Sequence, residues 1–256
     1  MKKKAHIFLS LCFLCLCLCL PLLTRAEGVD HAEIVTLEPI IITADRLPQP
    51  LAKSTSSVTL ITEKEITENH VTLPDEILRG MPGLSVNSSG TMGETISVRL
   101  RGGNSYQTLV LIDGLKVNSP WNGAYGEWGN TELTDIGRIE IIKGTQSELY
   151  GSEAMGGVVH LLTKEGERAP GFTLAIDGGS FETRKESLQV AGGKESLHYL
   201  FSTARSDSKG QFDNDAYQNT GFTARVDWKT NQAFSLKSIS RYRNAEKELA
   251  VNPDEL

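Results

Sequence analysis

Cysteine is confined to one short stretch of this 256-residue sequence. Residues 27–256 contain none, which excludes disulfide bonds and thiol chemistry from nine-tenths of the chain. The four cysteines lie inside the apolar run from Ile7 to Leu23, at Cys12, Cys15, Cys17 and Cys19. Each follows a leucine, where a lipoprotein signal would carry a small residue, so lipid anchoring is a minor alternative.

The same stretch has the layout of a secretion signal. Three lysines precede the apolar run, and Thr24-Arg25-Ala26 offers small residues where a signal peptidase reads. The run is 17 residues long, near the lower limit for a spanning helix, so a membrane anchor is the alternative. We predict a cleaved signal at residues 1–26 and export across the inner membrane.

Excess positive charge is also lacking. Residues 1–26 hold four of the 26 basic residues and no acid, so residues 27–256 carry 22 basic and 32 acidic residues, a net charge of −10. Such a surface excludes nucleic acid as the expected partner. No stretch after residue 26 is apolar enough for a membrane helix, so the chain is expected to be periplasmic or to meet a membrane through strands.

Patterns of catalytic residues are lacking as well. No Gly-x-Ser-x-Gly elbow occurs, and Asp113 is interpreted as a turn residue that accepts backbone hydrogen bonds. Gly151–Gly156 has the spacing of a phosphate-binding loop, but Gly157 and Val158 replace its Lys and Ser/Thr. The histidines have no zinc-ligand spacing: His6, His31, His70, His160 and His198. We therefore predict that the protein is not an enzyme and needs no cofactor.

The most informative stretch that is present runs from Arg138 to Thr163. Its β-branched residues predict one strand from Arg138 to Lys143 and a second from Val158 to Leu162. Ser147–Tyr150 can form one helical turn between them. The glycines of this stretch favour positions with positive φ or close backbone approach.

Ordered landmarks in and before this stretch resemble the plug domain of TonB-dependent outer-membrane receptors. The resemblance covers residues 38–165, extends loosely beyond them, and is greatest for the cobalamin receptors. The landmarks are Val98-Arg-Leu-Arg-Gly102, Leu109-Val-Leu-Ile-Asp-Gly114, Arg138-Ile-Glu-Ile141, Leu149-Tyr-Gly-Ser152 and Gly156-Gly-Val-Val159.

The predicted plug domain spans residues 47–165. Strands are predicted at Val58–Ile61, Ile96–Leu100 and Thr108–Ile112, and a short helix at Leu73–Arg79, because Pro74 and two acids stand in its first turn. Strands mixed with short helices indicate an α+β fold.

Residues 166–256 are predicted to begin a transmembrane antiparallel β-barrel. Apolar and polar residues alternate there over about ten positions at a time, as a strand between lipid and a wet lumen requires. A plugged barrel needs about 22 strands, so we expect the barrel to be incomplete and the chain to be an N-terminal fragment. The five predicted strands are Phe172–Asp177, Ser187–Ala191, Leu197–Arg205, Gly221–Thr230 and Phe234–Tyr242.

A further strand-like segment lies within residues 27–46, which we interpret as a periplasmic segment. Pro39 lacks a backbone donor and the residues after it are β-branched, so the segment is suited to pair along one edge. It could be an edge strand of its own domain. The resemblance instead implies a TonB box, which the TonB energy-coupling protein grasps by strand addition. The residues concerned are Pro39, Ile40, Ile41, Ile42, Thr43 and Ala44.

Two glycine-rich loops of the plug carry candidate substrate contacts. Aromatic residues there would offer stacking area and hydrogen-bonding groups to a ligand, or could fold back onto the local core. The resemblance implies that these loops face outward and touch the substrate. The candidates are Ser88, Met92, Asn118, Trp121, Asn122, Tyr125 and Trp128.

An acidic connection is predicted between the third and fourth barrel strands, at Ser206–Asn219. Its carboxylates Asp207, Asp213 and Asp215 are the ligand type that Ca²⁺ prefers, and cobalamin receptors carry a similar loop that binds calcium. The alternative is a solvated acidic loop.

Taken with the resemblance, these features predict TonB-dependent active transport across the outer membrane of a Gram-negative cell. Cobalamin is the favoured substrate and a ferric siderophore the next. A soluble periplasmic ligand-binding module and a non-functional truncated receptor are the alternatives.

Overall fold

The computed structural model describes residues 40–41, 43, 49–166, 169–230 and 234–249. The predicted secretion signal lies outside these ranges, as do Pro39, Ile42 and Ala44 of the predicted TonB box. Within the described ranges, no helix has the length and apolar character needed to cross a membrane.

The first half of the chain combines short helices with strands, as the sequence predicts. The predicted strands at Ile96–Leu100 and Thr108–Ile112 and the helical turn at Ser147–Tyr150 have the expected bounds. In chain order the elements are β1 (Ile40–Ile41), β2 (Gln49–Pro50), β3 (Ser57–Thr62), α1 (Glu63–Glu68), α2 (Pro74–Leu78), β4 (Leu84–Ser88), β5 (Ile96–Leu100), β6 (Thr108–Ile112), β7 (Leu115–Lys116), β8 (Ile136–Lys143), α3 (Ser147–Tyr150) and β9 (Gly157–Thr163).

The centre of this half is a five-stranded mixed sheet in the order β3-β8-β9-β6-β7, which we call the plug sheet. β6 and β9 pair in parallel and the remaining neighbours are antiparallel. Both faces of β8 and β9 are buried, which explains why their sequences read as nearly continuous β-branched runs.

One face of the plug sheet carries the main hydrophobic core. Ile139, Ile141 and Val159 pack there against Leu78, under the helices, and against Trp128. Helix α1, which the alternation pattern did not reveal, begins at a capping box in which Thr62 and Glu65 bond each other's backbone amides.

The other face, which we call the second face, carries a smaller set of apolar residues. Leu109, Leu111 and Val158 pack against Ala154. Close backbone approach is required at its edge, because a side chain on Gly157 would stand 2.2 Å from the carbonyl oxygen of Ile142. Gly157 also has a φ of +147°, as the glycine pattern predicted.

Within residues 169–230 and 234–249, the second half is an open antiparallel sheet of five strands in sequence order. Each strand is longer than predicted, because the ladder continues into the polar residues at its ends. The strands are β10 (Gly171–Gly179), β11 (Thr183–Lys194), β12 (Leu197–Ser208), β13 (Tyr217–Lys229) and β14 (Ser235–Lys247). We call this the wall sheet.

The two faces of the wall sheet differ in chemistry. Ladder register places Phe201, Ala224 and Ser240 side by side, and Thr203, Phe222 and Tyr242 in the next row of the same face. That outward face is largely apolar and includes the exposed residues Phe172, Leu174, Ile176, Trp228 and Leu236. The opposite face is polar and buried against the plug, with Ser202, Ser206, Asn219, Thr223 and Arg225.

Candidate functional site

The docked segment, by which we mean Ile40, Ile41 and Thr43, lies on the second face of the plug sheet. Ile41 is fully buried in contact with Ile142, and Leu51 and Val58 pack beside them. Ile40 is 55% exposed. Ile40 and Ile41 are extended, but their ladder partner is the nearby Gln49–Pro50, with only two residue pairs. The docked segment is therefore held to the plug chiefly by side chains.

A buried polar cluster forms the strongest of these contacts. Glu140 and His160 are cross-strand neighbours on β8 and β9, and both are buried. The Thr43 hydroxyl lies 2.5 Å from Glu140 Oε2 and 2.8 Å from His160 Nδ1, and the Thr43 amide donates to the same Oε2 at 2.9 Å. Tyr150 Oη donates to the Thr43 carbonyl at 2.9 Å. Every polar group of Thr43 is therefore bonded to the plug.

One backbone amide fixes the direction of the hydrogen bonds in this cluster. The amide of Gly114 donates to His160 Nε2 at 2.8 Å, and an amide can only donate. The proton of neutral His160 must then be on Nδ1, from which it is donated to the Thr43 hydroxyl. The Thr43 hydroxyl donates its hydrogen bond to Glu140 Oε2, and Glu140 Oε1 accepts from Arg138 Nε at 2.9 Å. Each donor in this row of hydrogen bonds therefore has one acceptor.

This arrangement requires the neutral imidazole. Burial lowers the pKa of His160 to about 4, against the opposing effect of Glu140 and Asp113, which raise it. Arg138 and Lys237 add to the lowering. A proton on Nε2 would also point at the N–H of Gly114. The hydrogen bonds of the second face therefore require an uncharged His160.

The turn that holds His160 also contacts the wall sheet. Asp113, next to Gly114, accepts from the Thr163 amide at 2.9 Å, which confirms the prediction of a turn residue bound to backbone. Arg241 on β14 donates to the Thr163 hydroxyl at 2.7 Å and forms ion pairs with Asp113 at 3.5 Å and with Asp135 at 2.8 Å. The Asp113–Gly114 turn thus contacts His160 through Gly114 and the wall sheet through Asp113.

Further polar contacts join the plug to the wall sheet along the strands. Arg225 donates to the Thr163 carbonyl at 2.6 Å and pairs with Glu165 at 2.9 Å. Glu132 accepts from the Ser206 hydroxyl at 2.8 Å and from Asn219 at 3.2 Å. Burial raises the pKa of Glu132, and the hydrogen bond from Ser206 opposes that rise.

The predicted substrate loops lie at the end of β6 that is remote from the Asp113–Gly114 turn. Trp121 is 95% exposed there. Ser88 and Asn122 are also exposed and Met92 is half-buried, so these four predicted residues are accessible.

Three other predicted substrate residues need correction, because they belong to the interior. Trp128 is 1% exposed and meets the buried Tyr125 edge to face, with ring centroids 5.0 Å apart. The Tyr125 hydroxyl is bonded to Thr131. The Asn118 side chain is buried and bonds the backbone of Thr108, Val110 and Gly123. The backbone of a tight loop offers hydrogen-bond partners to the Asn118 side chain. Burial of the two aromatic rings is more favourable than their exposure to water.

The predicted calcium ligands are not brought together, so that set is also corrected. Asp207 lies within β12, where its carboxylate is bound by Arg205 at 2.6 Å. Asp215 is buried, accepts from Thr91 at 2.6 Å and is paired with Lys247. Asp213 lies in an exposed turn, and the carboxylates of Asp207 and Asp215 each already have a cation, so the three residues do not form a calcium site. Across residues 40–41, 43, 49–166, 169–230 and 234–249, no three His, Cys, Asp or Glu side chains cluster in a way that could hold a metal.

Sequence reasoning missed Glu140, His160 and Arg241. A signal for the first two was present, because each is a polar residue inside an apolar strand: Glu140 between Ile139 and Ile141, and His160 between Val159 and Leu161. A buried polar residue requires a partner. The partner, Thr43, could not be identified from the sequence because it lies more than 90 residues away.

Comparison with known proteins matches residues 50–158 to the TonB-dependent receptor plug domain. The vitamin B12 transporter BtuB of Vibrio vulnificus strain CMCP6 is 36% identical in an alignment 187 residues long that covers 68% of this chain and 30% of the relative. BtuB of Vibrio cholerae strain O395 is 32% identical over 172 residues, which is 67% of this chain and 28% of the relative. The chain therefore spans about 30% of the length of these curated relatives.

Solved structures share the fold. Pseudomonas aeruginosa FpvA bound to a heterologous pyoverdine superimposes with a TM-score of 0.72 at 19% identity, over 80% of this chain and 27% of that one. The ferric enterobactin receptor PfeA from the same organism gives a TM-score of 0.61 at 20% identity, over 76% and 34% of the two chains.

Proposed function

The chain belongs to the TonB-dependent receptor family through its plug domain, and on this premise we propose that it serves TonB-dependent uptake of a scarce, large nutrient across the outer membrane. The observation that carries the proposal is the docked segment. It precedes the plug in the sequence, Ile40 and Ile41 form only two ladder pairs, and Thr43 is held by side chains of the plug, as a segment that a partner takes over by strand addition requires.

Deletion of residues 39–44 tests this coupling role. In the natural protein, produced in a receptor-deficient Gram-negative strain, we expect the deletion to abolish uptake of labelled nutrient and to leave surface binding intact. Uptake that continued without residues 39–44 would contradict the role of the segment. Thr43→Ser, which keeps the hydroxyl, is the matched control and should transport normally.

We propose the outer membrane as the location. The apolar outward face of the wall sheet supports it, because exposed apolar patches of this extent are rare on soluble proteins. It also disfavours a soluble binding module. Fractionation tests the choice: the protein should sediment with outer membranes, and its release by osmotic shock would contradict the proposal.

Cobalamin is the substrate we propose, with a ferric siderophore as the next candidate. Support comes from the relatives named as vitamin B12 transporters. We place the contacts on the accessible residues Ser88, Met92, Trp121 and Asn122. Equilibrium binding of cobalamin and of ferric siderophores to the natural protein distinguishes the two. Binding of siderophores alone would contradict this substrate and leave the transport role standing.

Trp121 is the residue to change first, because its ring is the most exposed aromatic of the loops. An aromatic contact to a bound ligand contributes about 1 kcal/mol, so Trp121→Ala should weaken binding roughly fivefold. Leu115→Ala removes an exposed apolar side chain at the opposite end of β6 and should leave the affinity unchanged. Equal effects of the two changes would contradict the location of the ligand.

A further inference from the structure

The docked segment covers two ionisable groups that an empty second face would expose to water. Glu140 and His160 lie side by side on adjacent strands, and Thr43 sits over both of them. The apolar part of the contact is small, with Ile41 as its fully buried member. The stability of the docked state therefore depends on hydrogen bonds that involve a titratable ring.

We propose that Thr43, Glu140 and His160 form a latch, which holds the docked segment on the plug while His160 is neutral and releases it when the imidazole takes up a proton. His160 acts here as a positioning residue, since it works through Thr43 and touches no substrate. The proposal deepens the coupling role given above and rests on it only for the identity of the segment as the TonB box.

The hydrogen-bond directions explain why one proton opens the latch. In the docked state Nε2 is an acceptor for the Gly114 amide at 2.8 Å. Protonation places a second donor on that line, so the amide and the ring repel each other and a buried cation is created. Release of the segment lets water reach the ring and removes both penalties.

Among the described residues, the charges around the imidazole ring do not compensate for that cost. The imidazole faces Glu140 and Arg138 on β8, Asp113 in the turn after β6, and Lys237 on β14. The docked segment contributes no charge. Among the described residues, Thr43 donates twice to Glu140 and Arg138 donates once, so an imidazolium could bond the same carboxylate only by displacing Thr43.

Docking of the segment should weaken as the pH falls. The pKa of His160 is about 4 when the segment is docked, and the ordinary value of about 6.5 returns when the ring is solvated. The undocked form binds the proton more tightly, so acidification favours release. Between about pH 7.5 and pH 5.5 the docking equilibrium should shift about tenfold, and above about pH 7 it should be flat.

Cysteine accessibility measures docking directly, because residues 27–256 contain no native cysteine. We would place one reporter at the buried site, Ile41→Cys, and a control reporter at the exposed neighbour, Ile40→Cys. Maleimide labelling of the natural protein in detergent gives a rate for each. The ratio of the two rates removes the effect of pH on thiol reactivity and leaves the fraction of undocked segment.

Two pairs of variants test the latch. Thr43→Val keeps the shape and removes the hydroxyl, so it should raise the ratio about tenfold or more at neutral pH, whereas Thr43→Ser should stay near the parent. The parent ratio should rise about tenfold on acidification to pH 5.5. His160→Asn keeps a donor near the Nδ1 position and cannot titrate there, so its ratio should not change with pH.

Equal ratios for Thr43→Val and Thr43→Ser would overturn the latch, as would a full pH response in His160→Asn. These outcomes are separate from failure of the proposed function. If the ratios behave as expected and deletion of residues 39–44 leaves uptake intact, the latch stands and the coupling role is wrong. If the deletion abolishes uptake and the ratios do not respond, the coupling role stands and the latch is wrong.

Discussion

The plug sheet and the wall sheet contain the same number of strands but cover opposite kinds of side chain. The plug sheet places apolar side chains on both faces and covers them with its own helices and loops. The wall sheet places polar side chains on the covered face and apolar ones outside. The apolar face of a strand therefore does not always mark its covered face. The medium that the uncovered face of the sheet meets, water or lipid, decides which of the two arrangements is stable.

The largest effect should come from opening the plug core. Trp128→Ala removes the largest fully buried side chain, and such truncations cost about 3–5 kcal/mol. Trp121→Ala is the matched control in the same loop, where the 95% exposed ring contributes less than about 0.5 kcal/mol. Urea unfolding of the natural protein, followed by circular dichroism, measures both free energies. Similar costs for the two variants would contradict the assignment of Trp128 to the core.

The next effect tests the contact between the two sheets. Arg241→Met leaves Asp113 and Asp135 without their cation, and loss of one partner from a largely buried ion pair costs about 3 kcal/mol. Arg184→Met, in an exposed pair with Glu186, should cost less than about 1 kcal/mol. Protease sensitivity of the plug is the measurement. A plug equally resistant in both variants would show that the wall sheet does not stabilise it.

A charge on the outward face should cost less. Phe201→Arg lies near the middle of β12, where a charge in lipid costs about 2 kcal/mol, whereas Phe234→Arg lies before β14 begins and should cost less than about 1 kcal/mol. Reversible unfolding from phospholipid vesicles measures the difference. Equal costs would mean that the outward face does not meet lipid along its length.

The smallest effect concerns pH. Because burial raises the pKa of Glu132, its contribution to stability is full below the unfolded value and is lost as pH rises through the folded value. Glu132→Gln keeps an acceptor for Ser206 and removes the charge, so we expect a modest rise in unfolding temperature at neutral pH and a flatter acid profile. Glu127→Gln, on the exposed surface, is the control and should leave the profile unchanged.

The repetitive features of the fold could be predicted from the sequence. Alternation gave the orientation of β13 correctly, with Thr223 and Arg225 on the face opposite Phe222 and Val226. Local turn chemistry gave α2, whose Pro74 stands in its first turn. Helix α1 was missed because Ile66 is its one buried residue, which is too few to produce a helical period.

The candidate site was less predictable, since it depends on contacts between remote residues. Asn118 and Trp121 stand three positions apart in the same polar loop, yet one bonds the backbone and the other faces solvent. Composition does not distinguish them. Thr43 was predicted as part of a partner-binding segment, a role that stays a prediction, and its bonds to Glu140 and His160 arise only when the chain folds back on itself.

The pairing pattern of the plug sheet also has a consequence for the order of folding. Leu60 pairs with Glu140 and Val110 with Val159, whereas Gly179 pairs with Thr183 across a tight hairpin. Closing a longer loop costs more entropy, so pairings remote in sequence form late. We expect pulsed amide exchange to protect β10 and β11 before β3 and β8, and the reverse order would contradict this. The wall hairpins would then form early, while closure of the plug sets the rate at which the chain becomes native.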